Sequence, residues 1–298
     1  MAIDLQLLLK AYASGIFPMA DARDDPETFW VEPKKRAILP LDGFRMSRSL
    51  RKTIRSNRFQ VTTDQAFADV IAICAESAAD RQETWINAEI EDAFCTLHEQ
   101  GHAHSVECWL VDDEGNRSLA GGLYGLVVGG AFCGESMFSR ANDASKVALA
   151  WLVARLKVGG FTLLDCQFMT DHLASLGAIE ISQAEYLDKL RAAQALHSPV
   201  FSAINSSSVS TESGSRRGGA SGTGRTVGET EGVVGTGATA SGALSSAETA
   251  SSLSEFSTLD VLLARLDAED RGAVGSTASP DASSSPGKLI AQLLTQTS

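Results

Sequence analysis

Leu5, Leu8, Leu9 and Tyr12 share one face at helical spacing, and Gly15 followed by Pro18 ends the pattern, so residues 4–14 predict a short helix. The stretch WVEPKKRAILP that follows reads as irregular. Ser47 then precedes SLRKTIRSNRF, where Arg48, Arg51, Lys52 and Arg55 fall at i, i+3, i+4 and i+7 while Leu50 and Ile54 point elsewhere. That spacing predicts a helix with one basic face. Residues 65–77 and 87–100 predict two more helices, the second closed by Gly101.

Beyond Gly101 the apolar period changes. Val106, Trp109 and Val111 in HSVECWLV suggest a strand, and LAGGLYGLVVGGAFCGESMF predicts two strands joined at Gly129 and Gly130, a pair suited to a tight hairpin. In DASKVALAWLVARLKVGG, Leu149, Leu152, Val153 and Leu156 form one stripe, with Asn142 or Asp143 available as the cap and Gly159 to close the helix. FTLLDCQ reads as a buried strand, and HLASLGA as a short helix. This order suits an α+β domain with helices covering a mainly antiparallel sheet.

Composition divides the chain near His197. From Ser198 to Ser298, Ser, Gly, Ala and Thr make up 59 of 101 residues, and Phe201 and Phe256 are the aromatics. Such a segment buries too little apolar surface to offset its ordering entropy, so residues 198–298 are expected to be a disordered tail. Within it LDVLLARLDAED and GKLIAQLL have helical spacing and read as transient helices or as segments that fold on a partner.

The formal net charge is −12, of which residues 1–197 carry −8 and the tail −4, so coating by nucleic acid through bulk charge is excluded. Locally the sign reverses. Between Lys34 and Arg58 nine cations (Lys34, Lys35, Arg36, Arg45, Arg48, Arg51, Lys52, Arg55 and Arg58) face Asp42 alone. Phosphate backbones reward such clusters through counterion release, and Trp30 offers a ring on which bases stack, although an ordinary solvated helix face has the same composition. Five scattered cysteines without a C-x-x-C pair argue against a disulfide scaffold and for a reducing cytoplasm. The first residues lack the basic start and clean apolar run of a signal peptide, and no run is long enough to span a membrane.

Three groups of residues could carry chemistry. Glu135, in GESMF at the end of the hairpin, sits among Phe132, Met137 and Phe138, where a carboxylate needs a cationic or hydrogen-bonding partner; a substrate amine or an internal base would serve. Asp165 and Gln167 close an apolar strand, and alternation places them on one face with Cys166 opposite, which disfavours Cys166 as a nucleophile. An Asp polarising the Gln amide could orient an amine and a carbonyl without covalent catalysis. His98, His102 and His104 with Glu107 and Cys108 suggest a metal less than they suggest packed histidines, because Gly101 interrupts the helix and no H-E-x-x-H is present.

The stretches AYASGIFPM, WVEPKKRAILP, ETWINAEIEDAF, LHEQGHAHSVECW, GGLYGLVVGGAFCGESMFSRANDASKVAL and LLDCQF with HLASLGAIEI closely resemble, in order, the bacterial leucyl/phenylalanyl-tRNA protein transferase family over about residues 5–192. The resemblance implies a small N-terminal domain, taken as residues 1–60, and an acetyltransferase-like (GNAT) catalytic domain over 61–197. It implies transfer of Leu or Phe, and less of Met, from aminoacyl-tRNA to the α-amino group of proteins with N-terminal Arg or Lys, making an N-degron. It makes Trp30 and Trp85 the rings that hold the terminal adenosine, and it matches Leu123, Phe132, Met137, Leu156 and Leu164 to the pocket for the transferred side chain. Gln167, Asp165 and Glu135 match the polar active-site positions. Lys34, Lys35, Arg36, Arg48, Arg51, Lys52 and Arg55 are the expected tRNA contacts. No cofactor, metal, membrane or DNA is implied.

Ser182 and Gln183 stand where this family is expected to have a Pro-Arg type sequence, which removes a cation and is expected to weaken a tRNA or sheet-edge contact. Three rivals are weaker. An acetyl-CoA transferase of the same fold needs a Gly-rich turn opening its central helix, and SRANDASK has no glycine. An RNA-binding module would use the basic helix and Trp30 alone, and the motifs of peptidoglycan-branching aminoacyltransferases do not match.

Overall fold

The computed structural model describes residues 2–76, 84–197, 255–272 and 285–295. Along the chain these form α1 (Leu5–Ala13), β1 (Phe17–Met19), β2 (Phe29–Val31), β3 (Lys35–Ile38), a 3-10 turn (Leu41–Gly43), α2 (Arg48–Arg55), β4 (Gln60–Thr63), α3 (Phe67–Cys74) and α4 (Ala88–Glu99). Next come β5 (Ala103–Val111), β6 (Arg117–Val128), β7 (Ala131–Ser139), α5 (Ala144–Val158), β8 (Leu163–Gln167), α6 (Asp171–Ser175), β9 (Ile179–Ser182) and α7 (Gln183–His197). Two further helices, α8 (Thr258–Gly272) and α9 (Pro286–Leu293), lie beyond the composition break.

The expected helices form where caps and periodicity place them. Asp4 accepts the backbone N–H groups of Gln6 and Leu7, Ser47 that of Leu50, and Asn87 that of Ile90. The α5 start differs: Asp143 occupies the cap position in a left-handed conformation (φ 69°), and its carboxylate binds Lys146 rather than the helix N–H groups. Around this frame stand β1 to β4, β9 and α7, none of which the hydrophobic pattern shows.

A seven-stranded sheet runs β4-β5-β6-β7-β8-β3-β9, antiparallel except for the β7–β8 pair, and a separate ribbon pairs β1 with β2. The α+β class expected from sequence is therefore the one observed. Period-2 alternation distributes β6: Tyr124, Leu126 and Val128 join one core with α1, α3 and α4, while Leu123 and Val127 join the other with α2 and α5. Gly125 sits between them because a Cβ there would lie 2.3 Å from the Cys133 carbonyl oxygen. A third cluster, formed by Ile38, Ala131 and Leu163 with Tyr186, Leu190 and Ala193, packs α7 onto the sheet.

Helix α5 is buried on nearly every side, beyond the single stripe its leucines suggest. The reason lies in the presumed tail, where two segments depart from the expected disorder. Phe256 and Leu259 are fully buried in the α5 core, as is Ile290 of α9. Phe256 stacks on His104 (4.2 Å between centroids) and Phe132 (5.7 Å), and the buried Arg155 donates to its carbonyl oxygen and to both carboxylate oxygens of Asp260. Gly287 presses on α2 so closely that a Cβ would meet the Ile54 carbonyl oxygen at 2.0 Å. Average composition hid these anchors because a few apolar residues, correctly spaced, suffice to dock a short helix. Residues 198–254 and 273–284 lie outside the described residues.

The Ser182 and Gln183 departure also has a local explanation. Ser182 and Glu185 form a capping box, with the Ser182 N–H and hydroxyl donating to the Glu185 carboxylate and the Glu185 N–H donating back to the hydroxyl, so they start α7. Gln183 donates to Glu32, and β9 stays paired with β3 through Ser182 and Lys35, so the sheet edge continues through this position.

Candidate active site

The parallel pair β7–β8 brings Glu135 and the Asp165–Gln167 strand end together, one strand apart. Beside them lies a cavity of about 290 Å³, at the small end of ligand pockets. Leu123, Met137, Leu149, Leu152, Leu164 and Leu173 give it an apolar wall, Glu135 and Gln167 a polar end, and Trp85, Cys166, Phe168 and His172 further lining. Of the pocket residues expected from sequence, Leu123, Met137 and Leu164 line it. Phe132 and Leu156 do not: Phe132 is stacked beneath Phe256, and Leu156 is fully buried on α5. Leu149 and Leu152 were missed, although they share the stripe of Leu156 at i−7 and i−4. Trp85 borders the cavity, whereas Trp30 stands half-exposed on β2 outside the lining.

Gln167 Nε2 donates to Glu135 Oε2 at 2.8 Å, which fixes the amide's orientation; no hydrogen bond among the described residues engages its oxygen. Burial pushes the Glu135 carboxyl up to about 8, against the neighbouring Tyr12 hydroxyl and the Gln167 hydrogen bond that favour its charged form. The backbone of Gln167 is left-handed (φ 59°), a region where Asn and Asp are far commoner than Gln. Asp165 Oδ1 accepts the Gln167 N–H at 2.8 Å and holds this turn. The turn breaks the strand's alternation. Cys166 and Gln167 thus both reach the cavity, and Asp165 faces away from it, contrary to the expected pairing of Asp165 with the Gln167 amide. The Cys166 thiol is pushed well up by burial and by Asp165, so it stays protonated and a poor nucleophile.

Arg36 corrects another expectation. Instead of offering its charge to phosphate it is 1% exposed and donates from Nε and Nη2 to the Asp165 carboxylate. Burial opposes its charge, and the Asp165 carboxylate more than restores it. The rest of the cationic group is exposed. Lys34 and Lys35 flank the start of β3, where Lys35 pairs with Glu180 at 2.6 Å, and Arg48, Arg51, Lys52 and Arg55 stand on α2 without an ion pair among the described residues.

The HAHSVE stretch is structural. His104 Nδ1 lies 2.8 Å from Asp64 Oδ2, and Glu107 accepts from Ser105 and Thr62 at 2.5 Å each.

An apolar cavity bordered by a carboxylate and a pinned amide suits an acyl-group transferase. The sequence profile of the leucyl/phenylalanyl-tRNA protein transferase matches residues 38–191, and that of its N-terminal domain residues 1–34. The leucyl/phenylalanyl-tRNA–protein transferase of Rhizorhabdus wittichii is 64% identical over 186 residues, covering 62% of this chain and 73% of that protein. Its namesakes from Zymomonas mobilis and Novosphingobium aromaticivorans are 62% and 61% identical, covering 64% and 65% of this chain and 69% and 72% of theirs. The chain belongs to the leucyl/phenylalanyl-tRNA protein transferase family. A solved structure titled "The structure of L-PGS from Bacillus licheniformis" matches 57% of this chain and 54% of that one at 14% identity with a TM-score of 0.32, too weak a likeness to bear on the fold.

Proposed function

We propose that this chain moves Leu or Phe, and less readily Met, from aminoacyl-tRNA to the α-amino group of proteins that begin with Arg or Lys, creating an N-degron. The observation that carries the reading is the leucine-walled cavity that ends at the Glu135–Gln167 pair. Leu, Phe and Met are long and unbranched at Cβ, so flexible apolar walls accept all three and reject Ile and Val by shape.

The aminoacyl ester is already activated, so the protein's task is alignment. With Nε2 committed to Glu135, the Gln167 amide oxygen accepts a hydrogen bond from the attacking amine. The amine nitrogen bonds to the ester carbon, the C–O bond to the terminal ribose breaks, and the amine proton ends on that ribose oxygen. Glu135 faces the cationic acceptor, whose approach favours its ionised form. Trp85 and Trp30 are the proposed rings for the terminal adenosine, and the exposed cations of α2 with Lys34 and Lys35 the proposed tRNA contacts. Five free cysteines fit a reducing compartment, so cytoplasm is the proposed location; among the described residues no helix is long and apolar enough to cross a membrane. The acetyltransferase-like reading of the second domain rests on the mixed sheet whose parallel β7–β8 pair is joined through α5.

The test incubates purified protein with radiolabelled Leu-tRNA and a peptide beginning with Arg, beside the same peptide acetylated at its N-terminus. Label is expected on the free peptide alone. Failure to label it, or equal labelling of both, refutes the reading.

A further inference from the structure

Asp165 is fully buried and does not line the cavity, yet four donors converge on its carboxylate. Arg36 gives Nε at 2.9 Å to Oδ1 and Nη2 at 2.6 Å to Oδ2, the Tyr186 hydroxyl donates to Oδ2 at 2.9 Å, and the Gln167 N–H donates to Oδ1 at 2.8 Å. The guanidinium is itself locked. Its central carbon lies over the Phe17 and Tyr186 rings, 4.6 and 4.4 Å from their centroids, and Nη1 donates to the Gly15 carbonyl oxygen at 3.1 Å. Phe17 in turn meets the cavity-lining Phe168 edge to face at 5.7 Å.

A buried ion pair is a poor way to gain stability, since two well-packed apolar residues do as well. This one ends on the one N–H that fixes the Gln167 backbone in an unfavourable left-handed turn, and that turn aims the amide at Glu135. We infer that Arg36 and Tyr186 are positioning residues for the transfer reaction: through Asp165 they hold the Gln167 turn, and with it the amide oxygen that meets the incoming amine. The clamp draws one member from each of β3, β8 and α7 and rests on the α1–β1 loop through Gly15 and on β1 through Phe17, so the N-terminal segment is tied to the reaction centre.

The inference rests on the transfer reading proposed above, so its experiment has one readout in the reaction and one outside it. Tyr186→Phe keeps the ring over Arg36 and removes only the hydroxyl. The expected result is roughly a tenfold lower kcat with KM for aminoacyl-tRNA unchanged, the scale of one hydrogen bond to a charged group. Hydrogen exchange of the Gln167 amide is expected to accelerate in the same variant. Arg36→Lys, which keeps the charge and loses the fork, is expected to retain more activity than Arg36→Met and to show the same rise in exchange. Unchanged kcat and exchange in Tyr186→Phe overturns the inference. So does a loss of melting temperature with kcat and exchange intact, which marks the clamp as structural only. If the parent protein transfers nothing while exchange still accelerates, the clamp's hold on Gln167 stands and the transfer reading fails.

Discussion

Phe256→Ala tests whether the C-terminal segments are part of the folded body. The Phe256 ring is fully buried between His104, Phe132, Phe161 and the guanidinium of Arg155, which lies 5.0 Å from its centroid. Removing a buried phenyl ring costs about 3–5 kcal/mol from lost transfer energy and the cavity left behind. For a body of this size each kcal/mol moves the melting temperature by about 2–4 °C, so a fall on the order of 10 °C is expected. Asp260→Asn leaves the buried Arg155 without its counter-charge; because Asp260 is half exposed, the cost is only about 1–2 kcal/mol. Differential scanning fluorimetry and urea titration at equal protein concentration measure both. If Phe256→Ala melts within about 2 °C of the parent, the segment does not fill this core and the account of α5 burial is wrong.

Three other outcomes follow. Replacing Arg48, Arg51, Lys52 and Arg55 one at a time with Ala is expected to weaken tRNA binding and to lower the salt-dependence slope by about one ion per residue, as filter binding across salt concentrations would reveal; an unchanged slope removes α2 from the interface. Glu135 holds its proton up to about pH 8 when folded, against an ordinary value of 4.5. The folded state therefore binds the extra proton between those values, and stability falls as pH rises through that window by up to about 1.4 kcal/mol per unit, then levels. Glu135→Gln is expected to remove that slope, and urea midpoints at pH 5, 7 and 9 that track the parent contradict the burial argument. Leu152→Phe, which narrows the cavity, is expected to reduce transfer of Phe more than transfer of Leu, measured by competition between the two charged tRNAs; an unchanged ratio places the amino acid elsewhere.

Much of this was legible in local pattern and some was not. The basic face of α2, the Gly129–Gly130 hairpin and the α5 stripe each follow from short-range spacing. Arg36 is the instructive failure. In the run KKR it reads as one more surface cation, and only its meeting with Asp165, 129 residues away, makes it interior. Gln167 defeats alternation for a local reason, since its own left-handed backbone at the strand end brings it to the cavity beside Leu164 and Cys166, while Asp165 stays on the opposite face. Phe256 was outvoted by its neighbours, because composition averages over a window while docking depends on individual residues.

The central claim is that a pinned amide beside a leucine-walled cavity aligns the reacting amine. Single-turnover transfer by Gln167→Ala, with affinity for aminoacyl-tRNA measured separately, addresses it most directly. The account predicts a slower step, by at least about tenfold, at unchanged affinity. Equal loss of affinity, or a step as fast as the parent's, would contradict it.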